Sequence, residues 1–248
     1  MKDLRKSFGG LRAVDDLSFA VRPGTVTGLI GPNGSGKTTA FNLIDGMLRA
    51  DSGEVLLDGR RIDRLPPYGR AHAGIGRTFQ ITRLFRQMTV LENVVAPLSS
   101  FSWRQMGAGA VAGHEAERAE ELLNFVGMHR FRDEPAGALS FGQQKLVELA
   151  QVLMLDPKVI LLDEPAGGIN PTLIDRLAEK IRELNAIGKT FVIVEHNMPL
   201  VAALCDPVIV LARGTRIAAG PARDVQRDPL VLDAYLGEGW TVEQAVHA

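Results

Sequence analysis

The chain has 248 residues, 46% of them hydrophobic and 23% charged, with a mean hydropathy of +0.05, which fits a globular protein and excludes collagenous, coiled-coil and wholly disordered classes. Its 28 Lys and Arg nearly cancel its 29 Asp and Glu, so no global basic field draws it to nucleic acid or to an anionic membrane. The lone Cys205 excludes an internal disulfide and a Cys-rich zinc site, and no signal peptide or apolar run near the ~18 residues of a spanning helix is visible; the expectation is a reducing compartment and a chain neither secreted nor membrane-spanning.

Short apolar runs alternate with longer helix-patterned stretches, which is the mark of an α/β chain. Val26–Ile30 is the first buried-strand candidate; it feeds Gly31-Pro-Asn-Gly-Ser-Gly-Lys-Thr38 and then a helix pattern through Phe41, Ile44 and Leu48. A weaker strand over 75–79 stops at Gln80. Residues 96–113 thin into Ser, Gly and Ala and read as a flexible connection, followed by a helix over 115–126. Residues from about 81 to 139 are taken as an inserted, mostly helical subdomain within a single domain whose core is 1–80 and 140–248. Leu139-Ser-Phe-Gly-Gln143 opens a helix through Leu146, Leu149 and Leu153. A strand over 159–162 then runs into Asp163 and Glu164. A helix over Pro171–Ala186 follows, capped by Asn170, with Leu173, Leu177, Ile181 and Leu184 on one face. Strands over 191–194 and 208–211 complete the pattern, the former ending at Glu195 and His196. Nearly continuous apolar strands of this kind imply a mainly parallel sheet covered on both faces.

Gly31 to Thr38 match G-x-x-x-x-G-K-[ST] in full, between a strand and a helix. The glycines let backbone N–H groups of Asn33, Gly34, Ser35, Gly36, Lys37 and Thr38 close round a β-phosphate, the Lys37 ammonium reaches the β/γ-phosphates, and the Thr38 hydroxyl suits Mg²⁺. Two adjacent carboxylates at a strand end suggest two jobs: Asp163 holds Mg²⁺ through a water, and Glu164 orients and deprotonates the attacking water. Ligands of open parallel sheets sit beyond the carboxyl ends of strands, so Gly31, Gln80, Asp163, Glu164 and His196 are expected along one edge. Ser140, with Gln143 three residues on, fits a capping box; a Ser hydroxyl and a Gly at a helix start equally fit an anion site for a nucleotide held by another chain. The residues alone leave both readings open.

Taken together, these residues resemble the nucleotide-binding subunit of an ABC transporter. Gly31 to Thr38 correspond to its Walker A motif, Gln80 to its Q-loop, Leu139 to Gln143 to its signature motif, 159–163 to its Walker B with Glu164 as catalytic base, and His196 to its switch histidine. The resemblance implies an α/β P-loop NTPase fold, with a mainly parallel sheet flanked by helices, an antiparallel β subdomain near the N-terminus and the inserted helical subdomain. It implies Mg²⁺-dependent ATP hydrolysis, with Lys37, Gln80, Glu164 and His196 catalytic and Thr38, Gln80 and Asp163 around the metal. Phe8 would stack on adenine with Val14 packed beside it, and Thr39 would join the phosphate site. A head-to-tail dimer with a second ATPase subunit would place Ser140, Gly142 and Gln143 against the partner's nucleotide. Two transmembrane permeases would contact the stretch 81–90, a substrate-binding protein would act through them, and the chain would sit peripherally on the cytoplasmic face of the cell membrane. Phe8-Gly-Gly-Leu, Arg77-Thr-Phe-Gln, Met88-Thr-Val-Leu-Glu-Asn93, Glu195-His-Asn-Met198 and the tail Ala234-Tyr-Leu-Gly237 are similar to ATPases of branched-chain and hydrophobic amino-acid importers, including urea and short-amide relatives.

Three features depart from that pattern. The chain begins close to Phe8, so the edge of the adenine-side sheet is expected to be incomplete; the loop after Glu164 reads Ala166-Gly-Gly-Ile-Asn170; and Phe141 stands where the signature commonly has Gly. A soluble ATPase of this type acting on ribosomes or DNA is disfavoured, because such relatives carry paired cassettes or coiled-coil insertions and the net charge here is near neutral. A GTPase switch lacks its Asn-Lys-x-Asp motif.

Overall fold

The computed structural model describes residues 1–98 and 113–236. In chain order its elements are β1 (Lys2–Phe8), β2 (Leu11–Leu17), β3 (Val26–Ile30), α1 (Lys37–Asp45), β4 (Ser52–Glu54), β5 (Leu56–Leu57), β6 (Arg60–Arg61), α2 (Pro67–Ala73), β7 (Ile75–Arg77), α3 (Val90–Val95), α4 (His114–Phe125), α5 (Phe141–Leu153), β8 (Val159–Asp163), α6 (Pro171–Ala186), β9 (Thr190–Val194), α7 (Met198–Leu204), β10 (Val208–Ala212), β11 (Thr215–Gly220), α8 (Ala222–Val225) and α9 (Pro229–Leu236). The expected connection over 96–113 lies mostly outside the described residues, as does Gly237 of the tail motif.

The main sheet has the order β11-β10-β3-β9-β8-β7; its four inner pairings are parallel and β11 closes one edge antiparallel. Each parallel strand reads as a continuous apolar run because its two faces feed two cores. Leu29, Leu161, Val192, Ile209 and Leu211 pack with Leu4, Leu17, Phe19 and the Phe41 side chain of α1. Their neighbours Ile30, Ile160, Leu162, Ile193, Val208 and Val210 pack on the opposite side with Leu149 and Leu177 from α5 and α6. Helices α3, α4 and α5 pack on one another through Val94, Leu123 and Leu149, so helical packing continues past residue 139 into the sheet's own core.

A second, antiparallel sheet has the order β2-β1-β4. The incomplete edge expected before Phe8 is not what is found: Lys2–Phe8 is the central strand, paired on both sides. Its composition hides it, because only Leu4 of the seven residues is buried. Helix α1 stops at Asp45 rather than reaching Leu48, since Gly46 takes a left-handed conformation there (φ 86°). Strand β7 ends at Arg77, two residues short of Phe79, and β8 extends one residue to include Asp163. No helix among the described residues is long and apolar enough to cross a membrane.

Candidate functional site

Parallel strands β3, β7, β8 and β9 deliver their carboxyl ends to one edge of the sheet, and the loops that leave there carry Gly31, Gln80, Glu164 and His196. The Gly31–Thr38 loop is tied down from outside: Gly214 N donates to Ser35 O (3.0 Å) and Asp15 N to Gly214 O (3.0 Å). Two glycines are required by that packing. A Cβ on Gly31 would lie 2.1 Å from Leu211 O and one on Gly36 2.4 Å from Ala13 O, and Gly36 has φ 102° besides. Gly36 is also the N-cap of α1 and offers no side-chain acceptor, so no cap side chain takes the first-turn N–H groups. Lys37 arches back over it, its Nζ donating to Gly31 O (2.6 Å) and Pro32 O (2.9 Å). Asn33, Gly34 and Thr38 are exposed, Thr39 is half-buried, and Ser35 is buried with its Oγ lacking a hydrogen-bond partner.

At the end of β8, Glu164 holds a left-handed conformation (φ 48°), unusual for a residue with a side chain. Its backbone is fixed on three sides: Glu164 N donates to Val194 O (2.8 Å), while Gly167 N (3.0 Å) and Lys145 Nζ (2.9 Å) donate to Glu164 O. The side chain thereby turns toward the loop after β7, where Gln80 Nε2 donates to Glu164 Oε2 (2.8 Å); Nδ1 of the largely exposed His196 stands 3.8 Å from the same oxygen. Asp163 is buried, and its Oδ2 accepts from Arg77 (2.7 Å).

The structure thus unites Gln80, Glu164 and His196, and connects Asp163 through Arg77 to Asn42 and Asp45 on α1, the helix that begins at Lys37. The donor set is hard: a Thr38 hydroxyl, a carboxylate and an amide oxygen suit Mg²⁺. Beside it, a glycine-rich loop packed against Leu211 O and Ala13 O, leading into a helix start with no side-chain cap and crossed by the Lys37 ammonium, suits a phosphate chain, so the residues fit a nucleoside triphosphate with its cation.

Other expected residues differ in detail. Phe8 is 47% exposed at the end of β1 with Lys6 Nζ 5.6 Å from its ring centre, and can offer a face to a base. Val14 cannot: at 1% exposure it belongs to the core with Leu4 and Leu17, so it supports the surface from beneath. Ser140 and Gln143 form a reciprocal capping box at the start of α5, Ser140 N donating to Gln143 Oε1 (2.9 Å) and Gln143 N to Ser140 Oγ (3.4 Å). Gly142 is buried where α5 packs on α6, and a Cβ there would meet Leu173 Cδ1 at 2.5 Å, so a larger residue would require the Leu173 side chain to shift. Phe141 lays its ring over Gly168, against the loop that follows Glu164.

Four buried charges have partners that the motifs do not give. Besides Arg77, Glu195 accepts from Ala166 N (2.7 Å), His196 N (2.9 Å) and Asn197 N (3.0 Å), joining the loop after Glu164 to the segment that carries His196. Lys145 reaches Glu164 from α5, and burial holds its ammonium below the ordinary value against the pull of nearby carboxylates. Glu148, one turn on, accepts from Phe79 N (3.3 Å) and Arg83 N (3.4 Å) on either side of Gln80, and burial pushes its carboxyl up to about 7. The available signal was charge on an otherwise apolar face: Lys145 and Glu148 interrupt the buried stripe of α5, and Glu195 prolongs a fully buried strand.

Comparison with known proteins places the chain in a family. The ABC transporter family model matches residues 14–167, and the model for the branched-chain amino acid ATP-binding cassette transporter matches residues 210–241. The chain is 38% identical over 243 residues to a probable branched-chain amino acid transport ATP-binding protein, LivG, of Archaeoglobus fulgidus, covering 95% of this chain and 94% of the relative. It is similar to the crystal structure of a nucleotide-free ATP-binding cassette from an ABC transporter (36% identity, TM-score 0.86, 94% of this chain and 96% of that one). It is likewise similar to a cassette in its ADP conformation (37%, TM-score 0.85, 95% and 97%). With a phosphate-binding loop, a buried carboxylate and a strained glutamate along one sheet edge, the chain belongs to the ABC transporter family, as an ATP-binding, ATP-hydrolysing cassette of the branched-chain amino acid transporter branch.

Proposed function

We propose that this chain is the Mg²⁺-dependent motor of an importer for branched-chain or other hydrophobic amino acids, with urea and short amides as the related alternatives within the same branch. The observation that carries the reading is the meeting of Gln80, Glu164 and His196 at one oxygen atom, beside the Gly31–Thr38 cradle. Lys37 exchanges its two neutral carbonyl partners for charged phosphate oxygens when ATP enters, a stronger set of hydrogen bonds. Thr38, Asp163 and Gln80 would hold Mg²⁺, which would supply positive charge against the developing negative charge of the triphosphate. Glu164 takes the proton of the attacking water, Gln80 fixes the glutamate's rotamer through its amide, and His196 contacts the γ-phosphate. Phe8 stacks on the adenine over a floor that includes Val14, and Asn33, Gly34, Ser35, Gly36 and Thr39 complete the phosphate site.

In this reading two ATPase subunits close head to tail, so that Ser140, Gly142 and Gln143 reach the nucleotide held by the other subunit. Closure then passes through the helical segment from about 81 to 139 to two permeases. Exposed Ile81 and Phe85, with a cavity of about 370 Å³ lined by Met47, Tyr68, Phe79 and Arg83 nearby, supply an apolar seat for a permease helix. The chain accordingly works at the cytoplasmic face of the membrane, its solute delivered to the permeases by a binding protein. The test is to tag the full chain in its native cell, solubilise membranes gently and identify what copurifies. Multi-spanning permeases together with a second ATPase are the expected result; soluble partners alone, with the chain absent from membranes, would remove transport from the account.

A further inference from the structure

Arg77 ends β7 three residues before Gln80, and its guanidinium is nearly closed off from water, with 7% of the side chain exposed. It is a fork between two elements. Nη1 donates to Asn42 Oδ1 (2.7 Å) and to Asp45 Oδ2 on α1, and Nη2 donates to Asp163 Oδ2 (2.7 Å) at the end of β8. The rings of Phe41 and Phe79 lie 5.6 and 5.0 Å from its central carbon. Among the described residues, these are the ion pairs in which both side chains are less than 10% exposed. Burying such a triad is a poor route to stability, because desolvating three charges offsets most of their attraction. Its geometry does something else. Thr38, Asn42 and Asp45 are spaced i, i+4, i+7, so they share one face of α1. A rigid planar fork that grips Asn42 and Asp45 with one nitrogen and Asp163 with the other therefore sets how far the Asp163 carboxylate stands from the Thr38 hydroxyl, and which of its oxygens remains for a metal-bound water.

We propose that Arg77 is a positioning residue for the divalent cation: through Asp163 it fixes the metal-facing carboxylate to the Thr38 helix, and through β7 it fixes the start of the Gln80 loop to both. This rests on the ATPase reading above. Lysine cannot replace the fork, since a single ammonium cannot satisfy Asn42, Asp45 and Asp163 in one plane.

The test separates position from charge. Arg77→Met alone leaves two carboxylates facing each other and endangers the fold, so the decisive protein is the double variant D45N/R77M, which removes one charge of each sign and keeps the net charge of the triad. Mn²⁺ is titrated into the full chain saturated with a non-hydrolysable ATP analogue, and its binding is followed by loss of the free-Mn²⁺ electron paramagnetic resonance signal. Binding of the analogue in excess EDTA is measured alongside. The double variant is expected to bind Mn²⁺ about tenfold more weakly, Arg77→Lys to fall between it and the unmodified chain, and metal-free nucleotide affinity to stay within about twofold. Wild-type Mn²⁺ affinity in both variants, even with a lowered melting temperature, would reduce Arg77 to a structural residue and overturn the proposal. An unmodified chain that binds the analogue yet takes up no Mn²⁺ would bring down the Mg²⁺ reading itself, and the proposal with it.

Discussion

Replacing Glu148 by Gln removes a carboxylate that the fold keeps at 2% exposure, with one oxygen bonded weakly to Phe79 N and Arg83 N and the other buried without a partner. Burial raises this carboxyl from an ordinary 4.5 to about 7. The folded chain therefore holds this proton more tightly than the unfolded chain, carries more bound protons between those two values, and loses stability as pH rises across the window. Integrated over the shift, the penalty at pH 8.5 is about 3 kcal/mol, whereas at pH 5 most of it is absent. The amide oxygen of Gln can keep both long N–H contacts, and its NH₂ replaces the oxygen that has no partner, so little is lost in exchange. Glu148→Gln should thus stabilise the chain by about 2–3 kcal/mol at pH 8.5 and by under about 1 kcal/mol at pH 5, read from urea denaturation at each pH. A variant less stable than the parent at pH 8.5, or an effect equal at both pH values, would refute the idea that an ionised, desolvated Glu148 strains the contact between α5 and the Gln80 loop.

Glu195→Ala leaves three backbone N–H groups without their acceptor and should destabilise by about 2–3 kcal/mol in the same denaturation assay, with ATP turnover falling further than ATP affinity because His196 and Ala166 lose their shared anchor. Leu149→Ala empties a fully buried site in the core of α5 and should cost about 3 kcal/mol by urea midpoint, without moving the ATP dissociation constant of the folded fraction. Phe8→Ala, at a half-exposed position, should leave the melting temperature nearly unchanged while weakening ATP about three- to tenfold in a fluorescent-nucleotide titration. A loss of folding in place of a loss of affinity would return Phe8 to a packing role.

The inner strands of the main sheet, three of which lead into the site, were legible because being buried on both faces writes the same word four times: Val26–Ile30, and the runs at 159–162, 191–194 and 208–211, are apolar at nearly every position. The Pro171–Ala186 helix was legible down to its cap, since Asn170 Oδ1 accepts from Leu173 N (2.9 Å) as the residue types demand. What stayed hidden had partners far away in sequence. Strand β1 shows no pattern because its sheet is half solvated, and α3 is six residues long, marked only by a Thr89–Glu92 capping box. At the site, motifs pointed to Lys37, Asp163, Glu164 and Gln80, but neither spacing nor periodicity can reveal that Arg77 joins Asp163 to Asp45, residues 86 and 32 positions away, or that Gly142 lies against Leu173. Long-range tertiary partners, unlike turns and caps, leave no local signature.

The account stands on Glu164 as the base that activates water in a composite site between two subunits. Its most direct test is Glu164→Gln, measured for steady-state ATP hydrolysis and, by sedimentation with and without ATP, for association of the chain or of the chain with its partner ATPase. An amide keeps the hydrogen bond with Gln80 within reach but cannot take a proton, so hydrolysis should fall about 10²-fold or more while ATP still binds and the closed dimer accumulates. Hydrolysis at the parent rate, or a variant that binds ATP without any gain in association, would contradict it.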